Sequence, residues 1–430
     1  MNKKSYSLHK LKNGLVVIFQ NMPSAYSVSA YLAVGAGSRY ENKQTRGMAH
    51  FLEHMLFEGT ERFPTSMEVN RQIEEIGGKS GAWTDKEHVI YYAKVNKNHL
   101  EILFDHLSEI IFRSTFEKAA IEKEKGIVFE ELKRKKDNPE FEIWDLWSEF
   151  VWGKNHFLGN SILGDRDSIK SITREKLVKY LKDFYQPSNM VLTVVGDFSL
   201  PQAKNFANRY FGRIPNKSLV RKDSSVAQIT SEKVRLVSSD NQQVQMVLGF
   251  LTEVSLVDKD RFIMEVLASF LTGGVSSRLF HRIVYELGIS YYFGAGNWSF
   301  SDTGFFYVNG GFSSENIDKA IASIVEEIRR LKKEEVSKKE LFEAKEKAKA
   351  MVYFMHETTD TLAEFYARQQ ILEGRVLTLD EIAGKITEVS VADIIGVARK
   401  YFVRDKLHLI LRGPLKGRSE QDFKKYFKLV

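Results

Sequence analysis

At 430 residues the chain exceeds one ordinary hydrophobic core, and domains of roughly 100–200 residues imply two or more of them. Its 43% hydrophobic content excludes a disordered chain, and the absence of cysteine excludes disulfides, thiolate metal sites and a cysteine nucleophile. The net charge of +7, from 63 basic and 56 acidic residues, is mild, and short basic runs such as Lys133–Lys136 and Lys416–Arg418 lie among acids or near the chain end. Such runs read as solvated helix faces, so no nucleic-acid partner is expected.

The segment from Met1 to Phe19 is lysine-rich and then amphipathic, without a long apolar core or a small-residue cleavage site. No apolar run approaches the ~20 residues needed to span a bilayer. A cytoplasmic protein with no membrane partner is expected. Gly14–Phe19 and Tyr26–Val34 read as strands, and Arg46–Phe57 as a helix. Ser66–Ile76 reads as a second helix, ended by Gly77-Gly78. Ala82–Thr84 and Tyr91–Val95 read as strand, while Asn98–Phe112 and Phe116–Lys136 read as long amphipathic helices. This mixture gives an α+β domain.

The chain then repeats itself. Ile169-x-x-Ile172-Thr173 introduces a helix running to Phe184-Tyr185, followed by the apolar strand Met190–Val195 and Gly196. Ile386-x-x-Val389-Ser390, a helix to Tyr401-Phe402, Leu407–Leu411 and Gly413 follow in the same order, each offset by 217 residues. Thr173 and Ser390 have the character of N-caps. Two homologous α+β domains are therefore expected: residues 1–213, a polar linker over 214–230, and residues 231–430.

The segment His50-Phe51-Leu52-Glu53-His54 carries the chemistry. Positions i and i+4 share one helix face, so two imidazoles there can hold one zinc ion. Glu53 lies beside them, placed to act as a base toward water at the ion. Catalytic zinc needs a third protein ligand and an open position. The Phe116–Lys136 helix offers Glu122, Glu124, Glu130 and Glu131. Glu131 is the candidate ligand, and Glu124, seven residues earlier on the same face, is the candidate partner that orients a histidine.

At these residues the sequence resembles the pitrilysin–insulinase family of zinc metallopeptidases, in its mitochondrial-processing-peptidase-like branch. That branch has 76 residues between its His-x-x-Glu-His motif and the glutamate ligand, as lie here between His54 and Glu131. This spacing selects Glu131 over Glu130, and the family's acid seven residues earlier matches Glu124. The resemblance extends over Gly47–Thr60, Tyr91–Val95, Ile162–Gly164 and Ser276–Phe280. It implies two homologous domains, each a mainly antiparallel sheet packed with helices, forming half of a clamshell. It also implies endopeptidase action on short or unfolded peptides in a chamber between two subunits, with one Zn2+ per chain.

Family likeness makes Gly81-Ala82-Trp83-Thr84 the edge strand that receives substrate by strand addition. Gly81 departs from the family's usual asparagine, so that side-chain contact is missing. The second half lacks metal residues, with Leu267, Phe270 and Leu271 near the equivalent helix. The family's second half carries an arginine and, seven residues on, a tyrosine, both reaching substrate. Here Tyr291 stands at the tyrosine position as a substrate contact or a core aromatic, but Val284 stands at the arginine position. Arg282 points about 160° away on a helix turning ~100° per residue. The expectation is a heterodimer in which this chain holds the zinc and a homologous partner lacking it supplies the arginine–tyrosine pair. The alternatives are a self-sufficient homodimer and a non-catalytic scaffold of the same fold.

Overall fold

A computed structural model of the chain describes residues 5–154, 156–217, 231–333 and 336–430. In the first half, β1 (Ser7–Lys10), β2 (Val16–Asn21) and β3 (Ser27–Val34) precede α1 (Met48–Met55) and α2 (Ser66–Glu74). β4 (Lys79–Thr84) and β5 (Val89–Asn96) form a hairpin, followed by α3 (Leu100–Phe112), α4 (Lys118–Asp137) and α5 (Pro139–Trp152). Then come α6 (Arg174–Phe184), β6 (Met190–Gly196) and α7 (Leu200–Phe211). The second half runs β7 (Val234–Ser238), β8 (Val244–Leu251), α8 (Asp260–Thr272), β9 (Phe293–Ser299) and β10 (Gly304–Phe312). It continues with α9 (Ile317–Lys333), α10 (Lys338–Phe354), α11 (Thr359–Glu373), α12 (Val391–Tyr401) and β11 (Leu407–Gly413).

Local chemistry sets the ends of these elements. The Thr173 and Ser390 side chains accept from the backbone N–H groups of Lys176 and Asp393, so both cap helices as their sequence context implied. Thr65 and Glu68 form a capping box at the start of α2. Gly77 takes φ 71° just beyond α2, a left-handed stop that glycine adopts without steric cost.

Each half builds its own sheet. The first has the order β1-β2-β6-β3-β5-β4, the second β7-β11-β8-β10-β9. Each contains one parallel pair, β2 with β6 and β7 with β11, and is otherwise antiparallel. The repeat read from the sequence is thus a repeat of topology, and the fold is α+β.

The described residues divide into two compact units that do not follow the chain half by half. The first takes residues 5–134, 156–217 and 355–378; the second takes 135–154, 231–354 and 379–430. Each half therefore sends one segment across: α5 joins the second unit and α11 the first. The sequence division at 214–230 falls mainly on 218–230, which lie outside the described residues.

In the first unit, one sheet face buries Val17, Phe19, Ala30, Leu32, Tyr91 and Leu192 against α1, α3, α6 and α7. The opposite face is covered by α11, which packs on β3 and β6. There Thr359 bonds to Ser29 across 2.8 Å, and Lys94 pairs with Asp360 at 2.6 Å. In the second unit α5 plays the matching part, packing on β8 and β11. Gly249 on β8 makes room for it, because a Cβ there would lie 2.5 Å from the Trp147 ring. Among the described residues, no helix is long and apolar enough to cross a membrane.

Candidate metal centre

The centre is built on α1, whose start is unusually constrained. Gly47 takes φ 77°, and a Cβ there would lie 2.7 Å from the Leu163 carbonyl oxygen. The fully buried Glu41 carboxyl accepts from the backbone N–H groups of Gly47 at 2.8 Å and Ala49 at 2.7 Å. It satisfies two helix donors that otherwise have no intrahelical acceptor. Burial pushes Glu41 up to about 8, with the N–H donors acting in the opposite direction. Met48, Ala49, Phe51, Leu52 and Met55 are buried in the core, which leaves His50, Glu53 and His54 on the remaining face. Burial of a side chain the size of Phe51 or Leu52 contributes about 2–3 kcal/mol, enough to fix the rotation of the helix.

The two imidazoles lie with ring centres 4.6 Å apart. Glu131, from α4, brings its Oε2 to 3.6 Å from His50 Nε2 and 3.7 Å from His54 Nε2. These separations exceed a charge-assisted hydrogen bond of about 2.7–2.9 Å. They approach the roughly 3.3–3.4 Å between donors bonded to one tetrahedral ion at about 2.0–2.1 Å. Glu131 Oε2 is buried and finds no hydrogen-bond donor among the described residues. Among those residues, His50, His54 and Glu131 are the one group of three histidines or acids whose donor atoms all converge within 4.8 Å. The donor set, two nitrogens and one carboxylate oxygen with neither thiolate nor a fourth protein ligand, suits a divalent ion with an open position.

The surrounding shell agrees with this. Glu124 Oε2 lies 3.0 Å from His54 Nδ1; a carboxylate only accepts, so Nδ1 donates, and Nε2 is the nitrogen that faces Glu131. Lys123 bridges Glu58 at 2.6 Å and Glu124 at 3.4 Å. Burial works against protonation of His54, but the bond to Glu124 and the charges of Glu131 and Glu53 outweigh it and raise its pKa. Glu53 is pushed up by burial and drawn back by a 2.5 Å bond from Thr84 Oγ1 to its Oε2. The acids passed over by the sequence spacing face solvent: Glu130 pairs with Lys133 and Glu122 with Lys125.

The other sequence-derived residues are distributed unevenly. Ala82, Trp83 and Thr84 all lie on β4, the end strand of its sheet. Ala82 packs on the core beneath α1, and Thr84 reaches Glu53. Trp83 turns to the opposite face, beside Tyr31 and Tyr92. Gly81 lies directly across from Tyr92, whose Oη would be 2.9 Å from any Cβ at that position. A side chain there would press on the Tyr92 ring, which accounts for the departure at residue 81. The arrangement recurs in the second unit, where a Cβ at Gly296 would lie 2.6 Å from Tyr307 Oη. Gly81, Trp83 and Tyr92 correspond to Gly296, Trp298 and Tyr307 at a common offset of 215 residues. That correspondence is a second internal repeat signal carried by the sequence.

In the second unit, Leu267, Phe270 and Leu271 are buried on α8, as packing residues. Leu341, Ala344 and Ala348 are the buried residues of α10, with the spacing that Ile121, Glu124 and Val128 have on α4. Val284 is partly buried against the core, and Arg282 pairs with Glu286. Tyr291 is 99% exposed, so it is not a core aromatic.

Comparison with known proteins agrees with these features. Residues 16–166 match the model of the insulinase family, peptidase family M16, and residues 171–348 match that of the peptidase M16 inactive domain. An uncharacterized zinc protease of Bacillus subtilis is 31% identical over 398 residues, 92% of this chain and 95% of that protein. A probable mitochondrial-processing peptidase subunit beta of Arabidopsis thaliana is 29% identical over 94% of this chain and 78% of its own length. The fold is similar to that of a protease from Helicobacter pylori, with a TM-score of 0.86 at 21% identity over 95% of this chain and 99% of that one. A peptidase M16 inactive domain structure from Pseudomonas fluorescens gives 0.87 at 18% identity, over 97% and 100%. On sequence, fold and the grouping of His50, His54 and Glu131, the chain belongs to the insulinase family of peptidases, M16.

Proposed function

We propose that this chain is a zinc-dependent endopeptidase acting on short or unfolded peptides, and that it is the zinc-bearing subunit of a heterodimer. The observation that carries the peptidase reading is the meeting of His50 Nε2, His54 Nε2 and Glu131 Oε2 at ligand spacing with Glu53 alongside. The names of the bacterial relatives as zinc proteases support zinc as the ion. Bound there, zinc would polarise a scissile carbonyl and acidify water. Glu53 takes the water proton during attack and hands it to the departing amine. Glu124 holds His54 in the tautomer that leaves Nε2 free. The edge of β4 offers backbone groups to an extended peptide, and Ala82 leaves that edge unobstructed on the face toward α1.

The heterodimer rests on Val284. A valine packed against the core offers no cation to a substrate carbonyl, and Arg282 is engaged by Glu286. A homologous subunit carrying an arginine and keeping a tyrosine would supply the missing contact. The test is hydrolysis of a quenched peptide by the purified chain, alone and mixed with a homologous subunit that lacks the His-x-x-Glu-His motif. The expected result is low turnover alone and a gain of at least about tenfold on mixing, the loss of one charged contact being worth that much. Equal turnover in both preparations would instead identify a homodimer. Absence of turnover and of bound zinc in both would leave a scaffold.

A further inference from the structure

The family likeness puts Thr84 among the residues that touch substrate. The geometry gives it other work, and the inference rests on the peptidase reading above. Thr84 is the last residue of β4, with its side chain on the same face as Ala82 and directed toward α1. Its hydroxyl proton goes to Glu53 Oε2. A threonine hydroxyl has one proton to give, so this bond leaves none for a substrate carbonyl.

The strand end that carries Thr84 is held firmly. Asp85 N–H donates to the His88 carbonyl at 2.8 Å, closing a tight hairpin. Lys86, Glu87 and His88 are buried in it. Arg39 pairs with Glu87 at 2.9 Å, its backbone N–H reaches the Lys86 carbonyl at 2.8 Å, and the Lys86 ammonium donates to the Asn160 carbonyl. Glu53, in contrast, is a long side chain with three rotatable bonds. Held only by its helix, it would sample several rotamers, and a base is useful only within hydrogen-bond reach of the proton it takes.

We propose that Thr84 is the positioning residue for Glu53: its hydroxyl fixes Oε2 and so aims Oε1 at the water to be activated. Thr84 neither gains nor loses a proton during turnover. The proton moves from water to Glu53 and on to the amine, while the Thr84 hydroxyl stays bonded to Oε2. Because Thr84 ends the edge strand, a peptide pairing along β4 lies in register with the residue that aims the base. Docking and base orientation thereby share one rigid element.

The experiment compares Thr84→Val, Thr84→Ser, Glu53→Gln and the Glu53→Gln/Thr84→Val double variant. Each is loaded with zinc and assayed in the preparation, alone or mixed, that turns over the peptide. Thr84→Val keeps the β-branched shape and lacks the hydroxyl. It should lower kcat about tenfold or more, as expected for a lost bond to a charged group, with KM within about twofold and bound zinc unchanged. Thr84→Ser should restore most of kcat, and Thr84→Val should change nothing further in the Glu53→Gln background. Should Thr84→Val fail to fold, Thr84→Ala provides the second variant without a hydroxyl, with the same expectation. A rise in KM at unchanged kcat would overturn the proposal and return Thr84 to substrate binding. A Thr84→Ser defect equal to that of Val would assign the effect to shape and overturn it as well. An active Glu53→Gln, or an inactive wild type in both preparations, removes the peptidase reading itself and this inference with it.

Discussion

Gly81 stands where a side chain would press on the Tyr92 ring. The Tyr92 ring above it is stacked on Tyr31 with centroids 5.2 Å apart, and Trp83 is 5.9 Å away, so Tyr92 cannot swing aside freely. Gly81→Asn, which restores the residue usual in the family, should cost about 1–2 kcal/mol through overpacking. The same change in a Tyr92→Ala background should cost much less, and urea unfolding of the four proteins in this cycle measures the difference. Equal costs in both backgrounds would show that Tyr92 is not the obstacle. A second expectation concerns His106, fully buried with Nδ1 3.0 Å from Oε1 of the Gln72 side chain. Burial pushes His106 down to about 4. A group whose folded pKa is depressed below an unfolded value of about 6.5 contributes stability that is present above that value. It is lost as pH falls through about 4, a change of about 3 kcal/mol. Between pH 7 and 4, His106→Asn should lose less stability than the wild type by up to that amount. Parallel losses would contradict the assignment. At this scale the grouping of His50, His54 and Glu131 was legible, because the two histidines lie one helical turn apart and the spacing to Glu131 singled out one acid. The sequence concealed Glu41 and the Thr84–Glu53 bond, which join distant segments only once the sheet and α1 have formed.

The helices were legible from one buried face, the inner strands from apolar runs: α3 and α4 follow the period-3.6 pattern, while β2 and β3 are buried on both faces, and all four have ends shifted by one or two residues at most. The helix Arg46–Phe57 shortened to Met48–Met55 because Gly47 takes a left-handed conformation and Glu41 caps the next turn. What periodicity could not give was the destination of α5 and α11. An apolar helix face states that it must be covered, not by which sheet. The close approach of Trp147 to β8 tests that packing. Gly249→Ala should destabilise the protein by about 1–3 kcal/mol, since the new methyl displaces a wholly buried indole. A thermal midpoint unchanged by this substitution would mean that α5 packs loosely.

At the scale of the whole molecule, the exchange of α5 and α11 makes each unit depend on both halves of the chain. The fragment 1–213 lacks α11 and leaves the β3–β6 face bare, so it should show no cooperative thermal unfolding by circular dichroism. A fragment that melts in one sharp transition would show that the exchanged helix is dispensable. The repeat that exposed two homologous halves was readable from caps, aromatic pairs and strands at one offset. The division into compact units was not, because sequence order is not contact order. Among the described residues, the group of His50, His54 and Glu131 lies in one unit. The other keeps the topology and, on α8, buries leucine and phenylalanine where ligands would be.

In the proposed site His50, His54 and Glu131 hold one zinc ion, and Glu53 is the base beside it. The most direct measurement is zinc content and peptide turnover on the same samples of wild type, Glu53→Gln and Glu131→Ala. The expected result is one zinc per chain in wild type and Glu53→Gln, with turnover in the latter reduced roughly 10²–10⁴-fold, and zinc lost from Glu131→Ala. Zinc lost from Glu53→Gln, or retained in Glu131→Ala at wild-type affinity, would contradict the assignment of ligand and base.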